Sequence, residues 1–105
     1  MNPVGILQGR LTPSNDRGIQ FFPYENWEEE FKLAQTIGFD CIEFLVKRNE
    51  FSKNPLSSPE GTKRINELKR EFNLEVPSVH GFYSKDPRYP ETLKQIIEAA
   101  HQVGA

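Results

Sequence analysis

Gly38-Phe39-Asp40-Cys41-Ile42-Glu43-Phe44-Leu45 is the stretch whose reading decides the fold. Gly38 suits the residue after a helix, because glycine tolerates positive φ. Cys41 to Val46 is apolar except for one acid, the profile of a parallel strand covered on both faces. Side chains alternate along a strand. Cys41, Glu43 and Leu45 therefore point one way, and Ile42, Phe44 and Val46 the other. The second set is uniformly apolar and is expected to meet helices. The first set carries Glu43 to the opposite face, where a carboxylate needs a partner, water or a ligand.

The chain around this strand has 105 residues, enough for one domain with a modest core. Eight Phe, three Tyr and one Trp exclude a disordered chain. The formal charge is −2, and no basic run or stripe points to nucleic acid or an acidic membrane. One cysteine excludes an intrachain disulfide and a cysteine-based zinc site, and fits a reducing compartment. The N-terminus shows no signal-peptide pattern, and no stretch approaches the ~20 apolar residues of a membrane span. A soluble cytoplasmic protein is the expectation.

Working outward, Val4 to Leu7 reads as a first strand that leads into Gln8-Gly9-Arg10-Leu11-Thr12-Pro13. Ser14 to Gln20 is rich in turn formers and reads as an exposed loop. Phe21-Phe22-Pro23-Tyr24 is expected to fold back over the core. A helix is predicted over Trp27 to Ile37, with Asn26 as N-cap, Glu29 as the acid of a capping box, and Trp27, Phe31, Leu33, Ala34 and Ile37 as its apolar face. Glu28, Glu29 and Glu30 read as acids favoured by the helix dipole; successive helical residues diverge, which argues against a metal cluster.

After the central strand, Lys47 to Ser58 reads as a loop ending in an N-cap at Ser58, with Pro59 at the first helical position. A second helix spans Pro59 to Phe72 with Ile65, Leu68 and Phe72 buried; Lys63, Arg64, Lys69 and Arg70 are read as a solvated face. Val76 to His80 is the third strand, with Val76, Ser78 and His80 on one face by alternation, and Pro77 and Val79 on the other. Pro77 argues for the strand's beginning or an edge. Gly81 to Arg88 is a loop. A third helix runs from about Pro90 to Val103, with Leu93, Ile96, Ile97, Ala100 and Val103 apolar and His101 on the surface.

Strand and helix thus alternate three times, which implies an α/β fold with three consecutive parallel βα units and right-handed crossovers. In such folds ligands lie at the C-terminal ends of the strands. Those ends carry Gln8, Arg10, Glu43 and His80, expected together on the face turned away from the helices. Glu43 and His80 could do acid/base work or hold a metal, and Arg10 could bind a carboxylate or phosphate bidentately. The plain structural alternative is an Arg10–Glu43 ion pair with His80 hydrogen-bonded nearby. No Walker loop, dinucleotide fingerprint, nucleophile elbow or zinc-protease motif is present.

The ordered set Gln8-Gly9-Arg10-Leu11-x-Pro13, Phe21-Phe22-Pro23, Trp27-x-x-Glu30-Phe31, Gly38-x-Asp40-x-Ile42-Glu43 and Asn54-Pro55-Leu56 resembles the start of the sugar phosphate isomerase/epimerase family. These are xylose-isomerase-like TIM barrels, in a superfamily that also holds endonuclease IV. The resemblance implies a (β/α)₈ barrel, a small sugar or sugar phosphate as substrate, and a divalent metal (Mn, Mg or Zn) that assists proton transfer beside a carbonyl. It implies Glu43 and Arg10 as substrate-side polar groups; with the strand-end reading, Glu43 and His80 are the expected catalytic residues and Gln8, Arg10 and Glu43 the expected substrate-binding ones. The strand end Val79-His80-Gly81-Phe82-Tyr83 departs from the family pattern. The family's metal ligands come from later strands, so none maps onto this chain and no metal is expected for it alone.

A barrel takes about 250 residues. The expectation is the N-terminal (β/α)₃ part of one, residues 1–105, inactive without the metal-bearing strands. Alternatives are a non-catalytic binding or assembly module that self-associates through its open sheet, and an abasic-site nuclease, which the lack of a basic groove disfavours.

Overall fold

The computed structural model describes residues 3–12, 22–46, 51–81 and 89–105. In order these form β1 (Gly5–Leu7), α1 (Trp27–Ile37), β2 (Cys41–Val46), short 3₁₀ turns at Phe51–Lys53 and Pro55–Ser57, α2 (Pro59–Phe72), β3 (Val79–Gly81) and α3 (Tyr89–Gln102). The predicted loops over 14–20 and 82–88, and Phe21, lie outside the described residues. The strands make a parallel sheet in the order β1-β2-β3. The mixed α/β class with parallel βα units is therefore present. Among the described residues no helix is long and apolar enough to cross a membrane.

Ile42, Phe44 and Val46 are buried in one core with Phe31 and Ala34 of α1, Ile65 and Leu68 of α2, and Ile96, Ala99 and Val103 of α3. Phe22 folds back onto this core, its ring 5.7 Å from that of Phe44, and Trp27 meets Phe44 edge-on at 6.2 Å. Gly38 ends α1 with a φ of 108° and returns its N–H to the carbonyls of Ala34 and Gln35. Asp40 then pins the start of β1. Its N–H donates to Val4 O at 2.7 Å and its carboxylate accepts from Val4 N at 2.9 Å. Ser58 caps α2 by accepting from Gly61 N, with Pro59 at the first helical position.

Five expectations are corrected. Asn26 makes no side-chain cap; its φ and ψ of −125° and 10° are not the extended geometry that lifts a cap side chain over the first turn. Ile37, at the end of α1, and Ile97 of α3 are exposed, because the core stripes run through Phe31 and Ala34 and through Ile96, Ala99 and Val103. Lys69 is not solvated: its ammonium donates to Val103 O at the end of α3 and lies 3.6 Å from a Glu75 carboxylate oxygen. Leu45 is fully buried although alternation puts it on the face of Glu43, and Asn54, between the two 3₁₀ turns, returns to bind its carbonyl. That face is thus not wholly open.

The fifth concerns β3. Glu75 pairs with Cys41, yet Val79 pairs with Phe44, so four steps along one chain match three along β2. The ladder bonds show the same extra residue: Ile42 N donates to Glu75 O and Phe44 N to Ser78 O. A bulge at Pro77-Ser78 follows from proline's missing N–H. It turns Val76 onto the helix side, where it is buried, while His80 keeps the opposite face.

Gly61 allows the Pro55–Ser57 turn to lie against α2, since a Cβ there would run into the Pro55 carbonyl. Helix propensity alone favours Gly61→Ala by about 1 kcal/mol. The contact reverses the sign, and urea unfolding should show a loss of roughly 1–3 kcal/mol. A stabilised variant would mean that the turn does not pack there.

Candidate functional site

β1 ends earlier than β2, and side chains take over the ladder. The last backbone rung is Gln8 N–H to Glu43 O at 3.0 Å. The next N–H along that edge of β2, Leu45 N, donates to Gln8 Oε1 at 3.1 Å. The Leu45 carbonyl accepts from Asn54 Nδ2 at 2.9 Å, and Asn54 Oδ1 takes Leu56 N–H at 2.9 Å. Both peptide groups of Leu45 are thereby satisfied by amide side chains. Gln8 and Asn54 are each 2 % exposed.

The turn after Gln8 rests on Glu30, which is 1 % exposed. Its carboxylate accepts from Gly9 N at 2.8 Å, Leu11 N at 3.1 Å and Thr12 Oγ1 at 3.0 Å. The three first-turn acids of α1 do diverge: Glu28 meets Arg64 at the surface at 2.7 Å, Glu29 is exposed, and Glu30 turns inward. Sequence reasoning missed the roles of Glu30 and Asn54. Both stood in the quoted motifs, Trp27-x-x-Glu30-Phe31 and Asn54-Pro55-Leu56, and that was the available signal.

Of the four expected site residues, Gln8 is buried as the clamp just described, and Arg10, Glu43 and His80 are exposed. Glu43 shares a face with Leu45, the register partner of His80, so Glu43 and His80 lie on one face of neighbouring strands. Strand spacing and rise put their Cα atoms about 8 Å apart. Leu7 is the register partner of Glu43, and Arg10 stands on the Glu30-held turn at the end of β1. The described residues show no ion pair between Arg10 and Glu43. Gln8 Nε2 and Ser78 Oγ are buried without a hydrogen-bond partner.

Chemically, one face of β2 and β3 offers a carboxylate and an imidazole, with a guanidinium on the turn after β1. Among the described residues no three His, Cys, Asp or Glu side chains gather as a metal-holding set. Glu43 and His80 supply two donors, short of the four that zinc takes in a structural site and the six of an octahedral magnesium site. They do not by themselves fit a divalent-metal centre.

In comparisons with known proteins, no family model, no curated protein and no solved structure matches the chain.

Two measurements probe this end of the sheet. Asn54→Ala strips buried partners from Leu45 O and Leu56 N, and should cost roughly 2–4 kcal/mol in urea unfolding; a loss below about 0.5 kcal/mol, the surface level, would refute the clamp. Burial pushes the Cys41 thiol pKa up, and the charges of Asp40, Glu43 and Glu75 push it the same way. Alkylation of the native chain should therefore need higher pH than alkylation of the urea-unfolded chain. A native pH profile at or below the unfolded one contradicts this environment.

Proposed function

We propose that this chain supplies the first three βα units of a cytoplasmic, xylose-isomerase-like barrel that isomerises or epimerises a small sugar phosphate. The observation that carries the reading is that Glu43, in the middle of β2, and His80 of β3 share one face of the sheet, next to the C-terminal end of β1 and the turn there that bears Arg10. That is where parallel α/β folds hold their ligands. The ordered motif residues also support it, since Glu30, Gly38, Asp40 and Asn54 each shape this end of the sheet or the frame around it.

In this reading Arg10 receives the phosphate through its planar fork of donors. Glu43 takes a proton from the carbon next to the sugar carbonyl, and His80 exchanges a proton with the neighbouring oxygen. Gln8 holds the strand ends that carry them. A divalent metal belongs to the family reaction, but Glu43 and His80 do not complete its site. The ligands would come from further βα units, and the chain alone would bind substrate without turning it over.

A second reading, a non-catalytic module that self-associates, is favoured by the sheet edges. Among the described residues β1 and β3 each have a strand neighbour on one side only, and unpaired edges invite pairing with another chain. A discrete oligomer in light scattering, with no sugar phosphate binding, would favour this module.

Titration of the ¹⁵N-labelled chain with a ketopentose phosphate tests the main reading. Saturable shifts should centre on Arg10, Glu43 and His80, and Glu43→Gln should abolish those at the strand ends. Shifts confined to the Lys63 and Arg70 face of α2 would overturn it. Mn²⁺ binding in the micromolar range that vanishes in Glu43→Gln and His80→Ala would show that the metal site lies within these three units.

A further inference from the structure

Glu30 is a carboxylate in a place where carboxylates are costly. Its burial is tolerated because its two oxygens collect three donors, all from the turn after β1. Gly9 and Leu11 give their backbone N–H groups, so the Gln8–Gly9 peptide unit and the Arg10–Leu11 peptide unit that follows Arg10 are both held. Gly9 has a φ of 95°, a conformation that L side chains rarely adopt, so this turn has a fixed and unusual path. Gln8 anchors its entry by two bonds to β2, and the Thr12 hydroxyl anchors its exit. Between those anchors the Arg10 side chain is exposed.

Such a turn matters for recognition. An arginine on a loose turn loses backbone and side-chain freedom when it grips an anion, and that loss weakens binding. An arginine on a fixed turn has already lost the backbone part. We propose that Glu30 is a positioning residue, which presets Arg10 to receive the oxyanion, a phosphate monoester or a carboxylate, of the substrate. The inference rests on the strand-end site of the preceding subsection and assigns the part of the substrate that Arg10 takes.

Charge alone argues the other way. A carboxylate beneath Arg10 repels an incoming anion, so removing its charge would tighten anion binding. Positioning and bare electrostatics therefore differ in sign. Glu30→Gln keeps the shape but sets an amide donor against one of the three donors that Glu30 accepts. The turn loses a tether while the local charge becomes more favourable to an anion.

The test is NMR titration of the full chain with inorganic phosphate and, in parallel, with acetate. Wild type should bind at least one of them with shifts around Arg10, and Arg10→Ala should abolish it. Glu30→Gln should weaken binding by about tenfold, and the double variant should match Arg10→Ala alone, because Glu30 acts through Arg10. A stronger response to phosphate assigns a phosphate monoester, and a stronger response to acetate a carboxylate. Unchanged or tighter binding in Glu30→Gln overturns the positioning role while leaving Arg10 as the anion receptor. Wild type that binds neither anion through Arg10 overturns both this inference and the phosphate-binding role given to Arg10 above. If Glu30→Gln does not fold, Thr12→Val decides: it removes one tether and keeps both backbone bonds. Binding should then fall by about two- to threefold at a temperature where the variant is still folded; unchanged affinity overturns the proposal.

Discussion

The peptide groups of Leu45 are the point on which the end of this sheet depends. β1 stops short, and β2 would be left with an unpaired N–H and C=O in a buried place. An unpaired buried backbone group costs about as much as a lost hydrogen bond. Gln8 takes the N–H and Asn54 the C=O. Those two bonds tie together the turn after β1, the end of β2 and the 3₁₀ segment that leads into α2. That end of the sheet is thus held by the chain's own amide side chains.

A division of labour among polar residues follows. Of the buried ones, Glu30, Asn54 and Thr62 spend their hydrogen bonds on backbone and a neighbouring hydroxyl within the fold, and Gln8 gives its Oε1 to Leu45 N while its Nε2 is left without a partner. Arg10, Glu43 and His80 are exposed, on the turn after β1 and on the solvent side of β2 and β3. The first group fixes where the second can reach. An acid in the first turn of α1 that looks like ordinary dipole compensation therefore belongs to the architecture of the turn that carries Arg10.

Much of the frame was legible because it is governed by local rules. The bounds of α1, β2 and α2 follow from apolar periodicity, a glycine stop and a serine–proline start, all set within a few residues of sequence. The helix-facing set Ile42, Phe44 and Val46 follows from alternation on a regular strand. The same rule failed at Val76, because Pro77 breaks the ladder and the bulge shifts the parity upstream of it. It also left the burial of Leu45 unforeseen, since that burial comes with a segment returning from further along the chain.

The sequence by itself determined the α/β order, the parallel sheet and the helix-facing side of β2. These depend on periods and stop signals read over a few neighbouring residues. Only the tertiary structure decided that Glu30 turns inward to hold residues 9–12, that Asn54 and Gln8 close the ladder around Leu45, and that Lys69 caps the carbonyl end of α3. Each of these except the Asn54 bond joins residues separated by at least 18 positions, and the Asn54 bond spans nine. A buried polar group takes whichever partner the packed chain brings within reach, and that partner is not written in its neighbours.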